Sequence, residues 1–255
     1  MKYLKKFEQE YNYMDWISGY STDESLRPYT DPYAILCLDT GHVYFHEYVN
    51  MNSNGHDFVD LGLPSGTLWA TMNLGASTAS DSGYYYSWGK SWSYSGYKSF
   101  TLGDMVEDRN LFDKRGRLNP DNDAATQACR GGWHIPTSDQ CRELIDSDYT
   151  SIETDTVNGV NCAIVTSLGN GNSVVFPLSG YYDGEEYGTT LQDSGTAGLY
   201  WALDLYTGSD SDNSMANALA FSSSGASETS APRYVGLSIR PVLGDKNYVK
   251  FAVLR

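Results

Sequence analysis

Positive charge is what this 255-residue chain has least of: 17 Lys and Arg stand against 32 Asp and Glu, a formal net charge of −15. No basic run occurs, which argues against nucleic acid or an anionic membrane surface, because binding there draws on clustered Lys and Arg. Long apolar runs are also missing. No stretch approaches the roughly 20 apolar residues that cross a bilayer, so no membrane insertion is expected. The opening MKYLKKFEQEYNYMDWISGY lacks the apolar segment and small-residue cleavage site of a secretory signal, and synthesis in a reducing cytoplasm is expected. Cysteine is scarce: Cys37, Cys129, Cys141 and Cys162 form no CxxC pair. Buried thiols are therefore expected rather than a metal or redox centre, with a Cys129–Cys141 disulfide as a minor alternative. His42, His46, His56 and His134 have neither triad nor metal spacing. GxSxG, P-loop, GxGxxG and EF-hand patterns are absent, so neither a catalytic residue nor a cofactor is expected.

What the chain does have is aromatic residues, at 14%, including 21 Tyr and 6 Trp. Rings of that size can build a core even where aliphatic residues are few. The distinctive stretch is the C-terminal fifth. Between Ala202 and Leu237, 24 of 36 residues are Ser, Thr, Ala, Gly, Asn or Asp, with no Lys, no Gln and a single Glu. Such a composition suits a linker, but Trp201, Leu203, Leu205, Leu219, Phe221 and Ile239 punctuate it. Leu219 and Phe221 have the two-residue period of a strand burying one face. The expected arrangement is a packed scaffold carrying a surface of small, adaptable side chains.

Taken in order, residues 1–56 read as a separate docking or oligomerisation element. Lys2 to Ile17 has an approximate helical stripe, and the β-prone runs around Asp39-Thr40-Gly41 predict a hairpin from Tyr33 to Tyr48. Val59, Leu61 and Leu63 alternate, Pro64-Ser65-Gly66 supplies a turn, and Leu68-Trp69-Ala70 begins a return strand. The Tyr- and Trp-rich segment from Ser82 to Phe100 reads as aromatic packing beneath loops, with an adaptable binding loop as the alternative. Asp123 predicts the cap of a short helix, AATQAC, terminated by Gly131-Gly132. Thr137 and Gln140 form a T-x-x-Q capping box opening a helix through about Ile145. Val160 to Val165 and Ser173 to Leu178 read as strands, with Pro177 at an edge or a strand end. Two short helices among many short antiparallel strands predict an α+β domain over 57–243, followed by a tail over 244–255.

A series of blocks carries a resemblance: VDLGLPSGTLWA (59 to 70), YYYSWG (84 to 89), DAA (123 to 125), GGWHIPTSDQ (131 to 140), FPLSGYYDG (176 to 184), LYWALDL (199 to 205), ANALAF (216 to 221) and RYVGLSIRPVL (233 to 243). In this order they resemble the major paralogous domain family of gut bacteria and their phages, which implies a C-type-lectin-like fold. A subset of that family looks like the variable proteins of diversity-generating retroelements, in which adenine-directed mutagenesis rewrites a C-terminal segment. Asparagine codons there become Asn, Ser, Asp, Gly, Tyr or Thr among others, never Lys, Gln or Glu, and the bias between Ala202 and Leu237 is similar. The resemblance implies a variable segment at about 199–237 and a ligand-binding patch of Asp204, Tyr206, Ser209, Asp210, Asp212, Ser214, Asn217, Ala220, Ser227, Thr229, Ser230, Tyr234, Val235 and Leu237. It also implies a structural frame of Trp201, Ala216, Leu219, Phe221, Arg233, Gly236, Ser238, Arg240 and Pro241. Ala202, Met215 and Glu228 depart from the pattern.

The implied function is a receptor-binding component of a phage or prophage tail, made in the cytoplasm and carried on the virion. Its implied ligand is a protein or glycan on a bacterial surface, with a homotrimer or docking through the N-terminal element as the implied assembly and a monomer as the alternative. A non-diversified adhesion module is the alternative. The EPN, QPD and WND motifs of calcium-dependent lectins are absent, so no metal is expected. Formylglycine-generating enzymes resemble the chain in topology, but their C-terminal cysteine pair and GNVWEW-type motif are missing. An enzyme is therefore not expected.

Overall fold

The computed structural model describes residues 56–91, 111–130, 132–183, 190–208 and 213–244 with their side chains, and the backbone of three short strands at 34–37, 42–45 and 252–253. The helix expected at Lys2 to Ile17 lies outside the described residues. The architecture is α+β, made mostly of small antiparallel sheets, with two α-helices among the described residues.

The hairpin expected near Asp39 is present as β1 (Ala34–Cys37) and β2 (His42–Phe45), paired antiparallel. A third strand joins it from the other end of the chain: β14 (Ala252–Val253) pairs with β2 through Ala252↔Phe45 and Val253↔Tyr44. The residues expected to be a separate tail thus complete the N-terminal sheet.

The main domain begins with β3 (Phe58–Asp60) and β4 (Leu68–Ala70). They are joined by the turn read from Pro64-Ser65-Gly66, in which the Gly66 amide donates to the Leu63 carbonyl at 2.8 Å. Strand β13 (Val242–Leu243) returns to pair with β4 in the register Val242↔Trp69, so the two ends of the domain meet in one sheet ordered β13-β4-β3.

Helix α1 (Ala124–Cys129) starts where Asp123 accepts from the Ala125 and Thr126 amides. It ends on Arg130, whose φ of 55° places a non-glycine residue at the stop expected of Gly131-Gly132. Helix α2 (Ser138–Leu144) carries the complete capping box: Thr137 accepts from the Gln140 amide, and Gln140 accepts from the Thr137 amide. Both bonds satisfy amides that have no partner within the helix, which fixes its first turn.

The sheet β5 (Thr150–Val157), β6 (Val160–Ser167) and β7 (Ser173–Pro177) follows, with Pro177 closing the last strand, where its missing N–H interrupts no ladder. After the β8 (Tyr181–Asp183) and β9 (Thr190–Gln192) pair comes the central sheet, ordered β10-β11-β12: β10 (Ala197–Leu205), β11 (Met215–Ser222) and β12 (Gly225–Pro232).

Strands β10 and β11 are buried on both faces, and their alternation splits the core in two. On one face Trp201, Leu203, Ala216 and Ala218 pack with Trp88, Leu111, Trp133 and Ile135. On the other, Tyr200, Ala202, Leu219 and Phe221 pack with Trp69, Leu144 and Phe176. The Phe176 and Phe221 rings stack at 4.6 Å between centroids, and Tyr200 meets Phe176 edge-on at 5.2 Å. Both geometries suit the ring quadrupole. Opposite Trp201 stands Ala218, so a large and a small side chain share one cross-strand pair.

Candidate functional site

The connection between β10 and β11 rises from a fixed base. Tyr206 donates its amide to the Met215 carbonyl at 3.1 Å, and the Arg233 amide donates to the Ser214 carbonyl at 2.8 Å. The Arg233 side chain, fully buried, donates from Nη1 to the Asn213 carbonyl. Asn213 itself lies at φ 63°, a left-handed position that Asn tolerates better than most residues. Below it, the guanidinium carbon sits 5.3 Å from the centre of the Trp88 ring. Trp88 is held in turn, with Nε1 donating to the Ala202 carbonyl at 2.9 Å and its amide to the Arg233 carbonyl at 2.8 Å. A chain of contacts therefore runs from the core through Trp88 and Arg233 to the backbone of Asn213 and Ser214. At this base Tyr206 is 39% exposed, its ring lying over Gly208 in space that a Cβ would take.

The sequence-expected site residues do not gather on one face. Tyr206 and Ser214 flank the loop base, while Ser209, Asp210 and Asp212 lie outside the described residues. Asn217 pairs across the sheet with Ser230, and Ala220 pairs with Ser227 and Ala218 with Thr229. Because side chains alternate along a strand, the Asn217 and Ser230 pair points to the side of β11 opposite Ala220, Ser227 and Thr229. Asn217 is half-buried, with its amide donating to the Ser138 hydroxyl at 3.0 Å at the start of α2. Tyr234 is half-buried against the core, and its carbonyl accepts from the Ser87 hydroxyl at 2.8 Å.

Three positions need correction. Val235 and Leu237 are buried, because the strand-like run after Arg233 is wedged between neighbours: Leu237 bridges to Tyr86, Gly236 to Tyr182 and Ser238 to Tyr200. Side chains on that run pack into the core and are not displayed. Asp204 is a brace. One carboxylate oxygen accepts from Arg117 Nε at 2.9 Å and the other from the Ser138 amide at 2.6 Å, with the Asp204 side chain 15% exposed. The Arg117 partner lies 87 residues away in sequence, and no local pattern announces it.

The expected frame residues are all buried. Trp201, Phe221, Arg233, Ser238 and Arg240 are 0% exposed, with Ala216, Leu219, Gly236 and Pro241 beside them. Arg240 donates to Asn73 Oδ1 at 2.9 Å, the Ala70 carbonyl at 2.8 Å and the Val175 carbonyl at 2.7 Å. Burial lowers it to about 10, and it stays charged at neutral pH.

The described cysteines are free and buried, with no bond between Cys129 and Cys141. Burial, with the nearby Asp123 carboxylate, pushes the Cys129 thiol up to about 12, although its sulfur lies 3.2 Å from His56 Nε2. Burial pushes Cys141 up as well. A thiol so held is a poor nucleophile. Among the described residues no three His, Cys, Asp or Glu side chains come together to hold a metal ion, and no helix is long and apolar enough to cross a membrane.

Set against family models, curated proteins and solved structures, the chain matches none of them.

Proposed function

We propose that this is a ligand-binding protein whose recognition surface is the loop between β10 and β11 with its flanking positions Tyr206, Ser214, Asn217 and Ser230. The observation that carries the reading is the buried Arg233, which holds the base of the loop by donating to the Asn213 carbonyl from its side chain and to the Ser214 carbonyl from its amide. A site built this way accepts new side chains at small cost, because substitutions away from the core change stability little. Tyr206 is the affinity anchor, its ring offering contact area and a hydroxyl at low entropic cost. This patch is narrower than the sequence implied, since Val235, Leu237 and Asp204 belong to the scaffold.

On this reading the scaffold is C-type-lectin-like. The meeting of the domain's first and last strands in the β13-β4-β3 sheet, with both helices between them in the chain, supports it. The block resemblance and the codon-like bias between Ala202 and Leu237 support a surface diversified by a retroelement, on a phage or prophage receptor-binding component. Binding rather than catalysis is the activity, and the raised Cys129 and Cys141 thiols support that reading.

Sequencing the genomic neighbourhood tests the diversification. A reverse transcriptase gene and a near-copy of codons 199–237 differing mainly at adenines are expected, and without them the surface is static. For the patch itself, Tyr206→Ala should abolish adsorption to host cells while the protein stays folded; undiminished adsorption would place the site elsewhere.

A further inference from the structure

A concave feature lies at the other end of β10. The loop surface sits beyond Leu205, whereas a cleft of about 640 Å³ opens beside Gly195, just before Ala197. Nine residues of strand separate the two ends by roughly 25 Å. Four segments wall the cleft: the 75–85 loop, the turn between β5 and β6, the end of β7 with Ser179, and the turn after β9.

These segments are tied into a closed ring. Asn158 Nδ2 donates to the Ser80 hydroxyl at 3.3 Å, joining the β5–β6 turn to the 75–85 loop. Asn161 Nδ2 donates to the Gly195 carbonyl at 2.9 Å, joining β6 to the turn after β9. The Gly195 amide donates to the Leu178 carbonyl at 2.7 Å, and the Tyr85 hydroxyl donates to the Ser179 carbonyl at 2.7 Å, which brings the ring back to its start. Tyr85 is itself fixed edge-on against Tyr182, with 4.7 Å between ring centroids. Each tie uses a side chain or turn amide between segments far apart in sequence. A cleft held this way exists before any ligand arrives, and its volume falls in the range of small-molecule sites.

The lining sets the chemistry. Among the described residues no Lys, Arg or His lines the cleft, and Asp81 is the one carboxylate that does. Serine hydroxyls dominate, and among the described residues the Ser77 and Ser194 side chains have no hydrogen-bond partner. At Gly159 and Gly195 a Cβ would meet nothing within 4 Å, so the walls open where turn backbone lies bare. Leu191, 38% exposed, adds an apolar edge. With no cation to meet a phosphate, sulfate or carboxylate, and too little apolar wall for a greasy molecule, the lining matches a ligand rich in neutral hydroxyls with one apolar face. We propose that this ring-tied cleft binds a neutral sugar residue, as a free saccharide or the end of a glycan, independently of the loop surface.

The experiment is saturation-transfer NMR on the full chain with glucose, galactose, mannose and N-acetylglucosamine at millimolar concentration, with glucose 6-phosphate as the charged control. Signal transfer to at least one neutral sugar and none to the phosphate is expected. Ser194→Trp, on an exposed residue at the mouth of the cleft, should abolish that transfer without moving the melting temperature, and Tyr206→Ala should leave it intact. The Ser77→Ala, Ser194→Ala double variant, which removes hydroxyls without blocking the space, should weaken it several-fold. No transfer to any neutral sugar, equal transfer to the phosphate, or transfer that survives in folded Ser194→Trp would each overturn the proposal. Loss of transfer in Tyr206→Ala would overturn the independence of the two sites.

Discussion

Two arginines among the described residues are fully buried, and each lies over an aromatic ring, yet they serve different regions. Arg240, 4.7 Å from the centre of Phe176, spends its donors on Asn73, Ala70 and Val175, three groups of the scaffold. Arg233, over Trp88, reaches up to Asn213 in the loop between β10 and β11. Arg240 makes its charge-assisted bonds to two backbone carbonyls and an amide oxygen, while Arg233 donates to the Asn213 carbonyl. The difference separates an arginine that ties the frame to itself from one that ties the frame to the base of the loop.

The comparison can be broken at several points. Arg240→Ala removes three bonds from a charged group and leaves three buried acceptors, and it should cost more than about 4 kcal/mol in urea unfolding. Arg233→Ala should cost about 3 kcal/mol and leave the rest of the domain cooperative, with faster amide exchange confined to the 206–214 loop. Equal losses at the two arginines would erase the distinction. Asp204→Ala sharpens it from the other side: as a brace between Arg117 and Ser138 this residue should cost about 2 kcal/mol, whereas a display position would be neutral. The smallest effects belong to Ser214→Ala and Ser230→Ala, each expected within about 0.5 kcal/mol of the parent by the same measurement.

What the sequence revealed follows the range of the interactions. The T-x-x-Q box of α2 was legible because all its groups lie within four residues, and β11 because Leu219 and Phe221 alternate on one face. Strand β5 gave no signal: from Ser151 to Thr156 its side chains are mostly exposed, so no apolar period marks it. Arg130, at φ 55°, takes the stop of α1 although glycines follow it. The site was half legible. Trp201, Phe221 and Arg233 read as frame and are buried, but the display residues were read from resemblance, which does not say which way a side chain points. Leu237 is buried because Tyr86 lies alongside it, and Asp204 is held by Arg117; both partners are far away in sequence.

The central claim is that the loop's backbone is held from below while its side chains are interchangeable. A surface-displayed library randomised at Tyr206, Ser209, Asp210, Asp212 and Ser214, sorted for protease resistance, measures it directly. Most clones should survive at protease concentrations the parent tolerates, while a matched library at Trp201, Leu219, Phe221, Arg233 and Arg240 should be almost wholly cleaved. Equal survival of the two libraries, or collapse of the loop library, would contradict it.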